Sequence, residues 1–221
     1  TKPLKKYSEL NFLSEEELKR KTIEIFFDIK IAKRACSKDQ KVAVISTKFG
    51  DMVVEFFPDV APKHVENFQI LAEEGYYNGT TFHRVIPGFM VQGGDPNSKD
   101  LDRMNDGTGG RAGKFFGIGR ENDPESWTVP AEFNDTPHQR GTLSMARSQN
   151  IDSDSSKYFM CHDNEPFLDG QYTEIGQLIS GIEVVDEIVN SERDPRDNPL
   201  DRVEMTVSLV DKSEAIKNEN N

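Results

Sequence analysis

Residues 82–95 read Phe82-His83-Arg84-Val85-Ile86-Pro87-Gly88-Phe89-Met90-Val91-Gln92-Gly93-Gly94-Asp95, and Thr81 to Gly94 reads as strand and turn. Upstream, Lys41 to Thr47 and Met52 to Phe57 are rich in Val, Ile and Phe around Phe49-Gly50-Asp51, the pattern of a β-hairpin. Pro62 then opens a helix at a position where its missing N–H costs nothing; Val65, Phe68 and Leu71 form the buried face, and Gly75 closes it. Downstream, Asp95 to Trp127 is loop-rich and acidic. Strands fit Gly141 to Ala146, Lys157 to Cys161 and Gln171 to Leu178. Ile182 to Val189 suits a short helix with Ile182, Val185 and Val189 inward, and Arg202 to Val210 alternates as a closing strand. Lys212 to Asn221 reads as a polar, frayed tail. Many short strands with few helices point to a mainly β barrel or sandwich rather than a βαβ fold.

The chain has 221 residues, enough for one domain with an appendage, and its 14 Phe can fill a core. With 27 basic and 39 acidic residues the formal charge is −12, which repels phosphate backbones and argues against nucleic acid. The longest apolar-rich stretch, Ile23 to Ala32, is broken by Glu24, Asp28 and Lys30, far short of the roughly 20 residues that span a bilayer. Cys36 and Cys161 lie far apart without a CxxC pattern and read as two separate small apolar residues. The chain starts at Thr1, which fits a removed signal peptide as well as trimming; the compartment stays open, cytoplasm being favoured over periplasm or export.

Residues 1–40 form an extension distinct from the domain at 41–211 and the tail at 212–221. Ser14 with Glu17 fits a capping box, and Leu18, Thr22, Ile25, Ile29 and Ala32 make a helical stripe. Ile23, Ile25, Phe27, Ile29 and Ile31 also alternate like a strand; the cap, the length and the basic end favour helix.

The segment 82–95 resembles the most characteristic stretch of the cyclophilins. The likeness continues, in the family's order, through Gly107-Thr108-Gly109-Gly110, Leu143-Ser144-Met145-Ala146-Arg147, Tyr158-Phe159 and Phe167-Leu168-Asp169-Gly170. The resemblance implies a closed eight-stranded antiparallel β-barrel capped by two α-helices. It implies peptidyl-prolyl cis-trans isomerase activity in protein folding, with no cofactor and no metal. Its implied partners are proline-containing peptides and unfolded or partly folded proteins, with cyclosporin bound weakly. Carried over residue by residue, Arg84 is similar to the family's catalytic arginine and Gln92 to the side chain beside it that bonds the substrate backbone. Phe89, Met90, Phe159 and Leu168 match the pocket for the proline ring, and Ala146 and Arg147 the run of peptide before it. Three substrate-binding positions depart from the common pattern: Lys157 replaces Gln, Phe167 replaces Trp and Tyr172 replaces His. Lys157 puts a second cation near Arg84, which calls for outward snorkelling or an acidic partner, and points to a preference for acidic residues near the proline. Residues 111–127 exceed the family's usual link and read as a surface insertion.

Such residues suit this chemistry because rotation about an Xaa-Pro bond is limited by amide resonance, a barrier of about 18–20 kcal/mol. A cation aimed at the nitrogen lone pair of the twisted amide binds that state better than either planar one. Other motifs fail on inspection. Gly107-Thr108-Gly109 lacks a βαβ setting, and Gly113-Lys114 lacks the rest of a P-loop. The run Asn150, Asp152, Asp154 lacks the glycine of an EF-hand, and His64, His83, His138 and His162 show no ligand spacing. The rival from another class is a cyclophilin-fold module that holds proline-containing partners without turnover. General chaperone activity is compatible with either.

Overall fold

The computed structural model describes residues 41–218. The expected helix of the 1–40 extension lies outside the described residues, as does Cys36. In chain order the elements are β1 Lys41–Thr47, β2 Gly50–Phe56, α1 Pro62–Glu73, β3 Arg84–Ile86, β4 Met90–Gly93, β5 Thr142–Met145, β6 Tyr158–Cys161, β7 Glu174–Ser180, α2 Ile182–Val189, β8 Met205–Asp211 and α3 Lys212–Asn218. The eight strands form one antiparallel sheet in the order β3-β4-β6-β5-β7-β2-β1-β8.

The expected closed barrel is corrected to an open half-barrel. Among the described residues β3 and β8 are the two ends of the sheet and share no ladder. β3 spans three residues, and its outer edge is taken by a loop, Val85 N–H donating to Asp197 C=O at 2.8 Å. The two ends approach beside the strands, through the bridge Thr81↔Glu204 and the bonds from Phe82 N–H to Val203 C=O and from Met205 N–H to Thr80 C=O. Two smaller expectations also shift. Thr47 pairs with Gly50, so the first hairpin turns at Lys48-Phe49 and Gly50 and Asp51 belong to β2. Residues 212–218 form a helix instead of a frayed tail, because Lys212 is buried and its ammonium meets Glu55 at 2.8 Å.

Alternation along each strand sorts the residues onto two faces. Val85, Val91, Leu143, Met145, Tyr158, Met160 and Ile175 join the main core. Their neighbours Ile86, Met90, Phe159 and Cys161 form a separate apolar cluster on the opposite face. α1 covers the main core with Phe68, whose ring lies 4.8 Å from Tyr77 and 5.4 Å from both Phe56 and Tyr158. Burying each such ring contributes about 1.5–3 kcal/mol. The predicted stop at Gly75 is real: Gly75 has φ +68°, its N–H bonds Ala72 C=O, and Tyr76 N–H bonds Leu71 C=O, the paired bonds of a Schellman cap. In α2 the buried residues are Val184, Val185, Ile188 and Val189, with Ile182 half-buried.

The start of α1 is capped from a distance. Ala61 at the N-cap has no side-chain oxygen, so the orphan amides of Lys63 and His64 donate to the carboxylate of Glu132. An anion there also suits the helix dipole. The buried His64 ring completes the arrangement, with Nδ1 2.7 Å from Glu132 and Nε2 3.0 Å from Asp154. Burial opposes the imidazolium, but hydrogen bonds and charge from Asp154 and Glu132 outweigh it and raise the His64 pKa above 6.5. Burial likewise pushes Glu132 up, and the bonds from His64 and Lys63 outweigh it and hold the carboxyl below 4.5.

His64→Gln is therefore expected to destabilise the protein by about 3 kcal/mol, the scale for breaking a buried ion pair. The raised histidine stabilises fully below pH 6.5 and loses its contribution as pH rises through its folded-state pKa. The lowered Glu132 stabilises fully above pH 4.5 and loses its contribution on acidification. The melting-temperature gap between variant and parent should be widest between those two pH values and narrow on either side.

Candidate active site

The decisive turn is Ile86-Pro87-Gly88-Phe89. Phe89 N–H donates to Ile86 C=O at 3.0 Å and Gly88 has φ +75°, a type II turn with proline and glycine where that geometry wants them. It is held from outside, Gly88 N–H donating to His162 Nδ1 and His162 N–H to Phe89 C=O. With the turn fixed, the register of β3 against β4 pairs Arg84 with Gln92. Gln92 then pairs with Phe159 on β6, Phe159 with Ser144 on β5, and Ser144 with Glu174 on β7. Residues far apart in the chain thus form one transverse row on the face away from the main core.

Arg84, Gln92, Phe89, Met90, Ala146, Arg147, Lys157, Phe159, Leu168 and Tyr172 all line one groove of about 500 Å³. Phe167 does not line it and is 59% exposed, though its ring stands 5.8 Å from Phe89 at the rim. The apolar end of the groove has Phe159 as its base, with Tyr172 edge-on at 5.7 Å. Behind Phe159 lies the ring of His138, stacked at 6.1 Å and 9°. Arg147 is fixed by bonds from Nε to Gln171 C=O and from Nη1 to Ser148 C=O, its guanidinium 4.7 Å over Tyr172. Arg84 is exposed, and its side chain makes no hydrogen bond or ion pair among the described residues. Its guanidinium is free to meet a ligand.

Gln92 is oriented by His83, the Gln92 side-chain N–H donating to His83 Nε2 at 3.4 Å. Burial lowers the His83 pKa, and nearby Lys157 pushes the same way against Asp95 and Asp106, so the ring accepts as a neutral imidazole. Lys157 neither snorkels outward nor pairs directly with an acid, as the sequence led one to expect. Its ammonium donates to Gly107 C=O and Gly109 C=O, each at 2.8 Å. Burial lowers its pKa from 10.5, opposed by the charge of Asp95. Asp95 itself is buried and accepts from the amides of Asn97 and Gly109, which shapes the loop that Lys157 grips.

Several lining residues were not singled out in the sequence. Arg103, Asp106, Arg196 and Asn198 reach the groove from two distant loops that hold each other, Arg103 donating to Pro199 C=O and Arg196 to Arg103 C=O. A cation within each acidic loop was the available signal. None of residues 111–127 lines the groove, as expected of a surface insertion.

A further group escaped spacing arguments. His138 Nδ1 lies 3.1 Å from Asp169 and 2.8 Å from the fully buried Glu174, and these donor atoms are close enough to hold a cation. His138 Nε2 meets Ser144 Oγ at 3.0 Å, whose hydroxyl donates to Thr173 C=O. Burial raises the Glu174 carboxyl, and the His138 bond pulls it back. The group stands behind Phe159, outside the groove lining, and stiffens its base.

Among comparisons with known proteins, the family model described as "Cyclophilin type peptidyl-prolyl cis-trans isomerase/CLD" matches residues 42–209. A second model, "Cyanobacterial transposase-derived protein, C-terminal domain", matches residues 1–59. A probable peptidyl-prolyl cis-trans isomerase of Brucella abortus is 44% identical over 149 residues, covering 67% of this chain and 71% of that one. A peptidyl-prolyl cis-trans isomerase of Synechococcus elongatus is 39% identical over 153 residues, covering 68% and 90%. Among solved structures, a Cryptosporidium parvum cyclophilin type peptidyl-prolyl cis-trans isomerase, crystallised in the presence of the dipeptide Ala-Pro, superposes with a TM-score of 0.66 at 29% identity, covering 76% of this chain and 98% of that one.

Cys161 gives a probe of the groove's base, since it belongs to the apolar cluster of Met90 and Phe159 and is fully buried. Burial pushes its thiol far up, with Glu165, Glu174 and Asp169 adding to the effect. In a Cys36→Ser background, iodoacetamide at pH 8 should leave Cys161 unlabelled in the native protein and label it fully in denaturant.

Proposed function

The chain belongs to the cyclophilin-type peptidyl-prolyl cis-trans isomerase family, and from that premise we propose that the groove around Arg84 is where it accelerates rotation about Xaa-Pro bonds. The observation that carries this is the row Arg84–Gln92–Phe159, which sets a free cation, an oriented amide and an apolar floor side by side. The proline ring sits among Phe89, Met90, Phe159 and Leu168, where its methylenes replace water against apolar walls. Gln92, with one N–H held by His83, bonds the substrate backbone. The peptide before the proline runs past Ala146 and Arg147.

With the ring and the flanking backbone held, only the connecting amide turns. As it leaves planarity the nitrogen regains its lone pair, and the Arg84 guanidinium donates to it. The planar isomers offer no such acceptor, so the bond forms chiefly in the twisted state, which is the condition for lowering a barrier. One preorganised donor of this kind is worth about 3 kcal/mol. No bond to the enzyme forms, and no proton changes hands.

Proline-containing peptides and partly folded chains are the substrates of this reading. Phe167 stands at the rim beside Phe89 and carries no indole N–H, which supports weak cyclosporin binding. The rival, a module that binds proline segments without turnover, draws on Lys157, a second cation in the same groove.

NMR exchange spectroscopy on a short Xaa-Pro peptide separates the two readings. The intact chain should accelerate exchange, and Arg84→Ala should lower the rate about 100-fold, the equivalent of about 3 kcal/mol, with peptide binding retained. Arg84→Lys should restore little, because an ammonium lacks the planar fork. Peptide binding without acceleration by the intact chain would establish the binding module instead.

A further inference from the structure

The protein is acidic, with a formal charge of −12, yet its groove is not. Five cations line it, Arg84, Arg103, Arg147, Lys157 and Arg196, against one carboxylate, Asp106. Elsewhere most cations meet acids: Lys41 meets Glu73, Lys114 meets Glu66, Arg140 meets Asp186 and Lys212 meets Glu55. In the groove the pattern inverts. Arg103 pairs with Asp194, but Arg84, Arg147, Lys157 and Arg196 have no ion-pair partner among the described residues. Lys157 donates to two backbone carbonyls, Arg147 to two others, and Arg196 to Arg103 C=O. Asp106, which accepts from Asn198 at 2.6 Å, offsets one of these charges, and the buried Asp95 acts on Lys157 from behind, so cations still outnumber acids.

The lining also divides by chemistry. Phe89, Met90, Phe159 and Leu168 join one apolar cluster, with Arg147 over Tyr172 beside it, while Lys157 grips the loop at Gly107 and Gly109 and Arg196 holds Arg103. A ligand whose proline ring sits on the apolar cluster presents its neighbouring residues to the cations. Charges on the walls of a half-enclosed groove focus the field there, so an anion gains more than on open surface.

We propose that this groove selects peptides carrying Asp or Glu at the position preceding the proline, with Lys157 and Arg196 as the specificity-determining cations. The proposal rests on the isomerase reading and names its substrate class. Acidic bodies on client proteins would be repelled by the rest of the surface, so the fit is to a local acidic segment entering the groove.

The test measures kcat/KM by NMR exchange on Ala-Glu-Pro-Phe, Ala-Gln-Pro-Phe and Ala-Lys-Pro-Phe with the full chain, at about 10 mM and about 1 M NaCl, where the Debye length falls from about 30 Å to about 3 Å. The expected result is about a tenfold preference for Glu over Lys at low salt, collapsing at high salt. Lys157→Gln and Arg196→Gln should each shrink the Glu-over-Lys preference severalfold at low salt. Equal kcat/KM on the Glu and Lys peptides at low salt, with both accelerated, overturns the proposal and leaves the isomerase reading intact. If no peptide is accelerated, the isomerase reading fails, and the charge preference is read from Kd in a 15N shift titration. Equal Kd for the Glu and Lys peptides then overturns it as well.

Discussion

Two-residue alternation, locked in register from β3 across to β7, is the constraint from which the groove follows. Each strand sends one residue into the core and the next to the opposite face, so a slip of one residue would exchange Val85 for Arg84 and Tyr158 for Phe159. Burying a guanidinium among Phe68 and Tyr77 would cost far more than any alternative pairing could return. The register is thus enforced by the core, and the position of the functional row comes with it. The Pro87-Gly88 turn adds a local restraint, since few residue pairs accept its dihedral angles.

The polar framework serves the same geometry from behind. Glu132 caps a helix 69 residues away and, with His64 and Asp154, ties α1 to the loops beside the groove. His138 supports Phe159 from beneath through a stacked ring, while Ser144, Asp169 and Glu174 hold that ring. Asp95 and Lys157 define the loop at 107–109 through its backbone. In each case a buried charge organises irregular chain that has no ladder of its own, and each depends on partners to offset its desolvation.

Much of this was legible in the sequence. The helix at 62–73, its Gly75 stop, the short helix at 182–189 and most strands follow from periodicity and turn chemistry, which are local properties. Arg84, Phe89, Met90 and Gln92 entered through resemblance, and the fold brings these four side chains to one groove. What could not be read were contacts between loops. Arg103 and Arg196 look like ordinary surface cations until their loops meet, and His138 lies 31 residues from Asp169 with no motif between them. Lys212 looked like part of a polar tail because its partner, Glu55, is 157 residues away.

By its local pattern the sequence determined that the chain is mainly β and where most of its strands and helices fall. Those conclusions depend on backbone dihedral preference and on spacing within a few residues. Tertiary structure alone decided that the sheet stays open, because a loop rather than β8 covers the edge of β3. It alone decided that Lys157 spends its charge on backbone carbonyls, and that unpaired cations converge in an acidic protein. Those outcomes depend on which groups lie within a few ångströms, and long-range proximity is set by how the core packs rather than by any short stretch of chain.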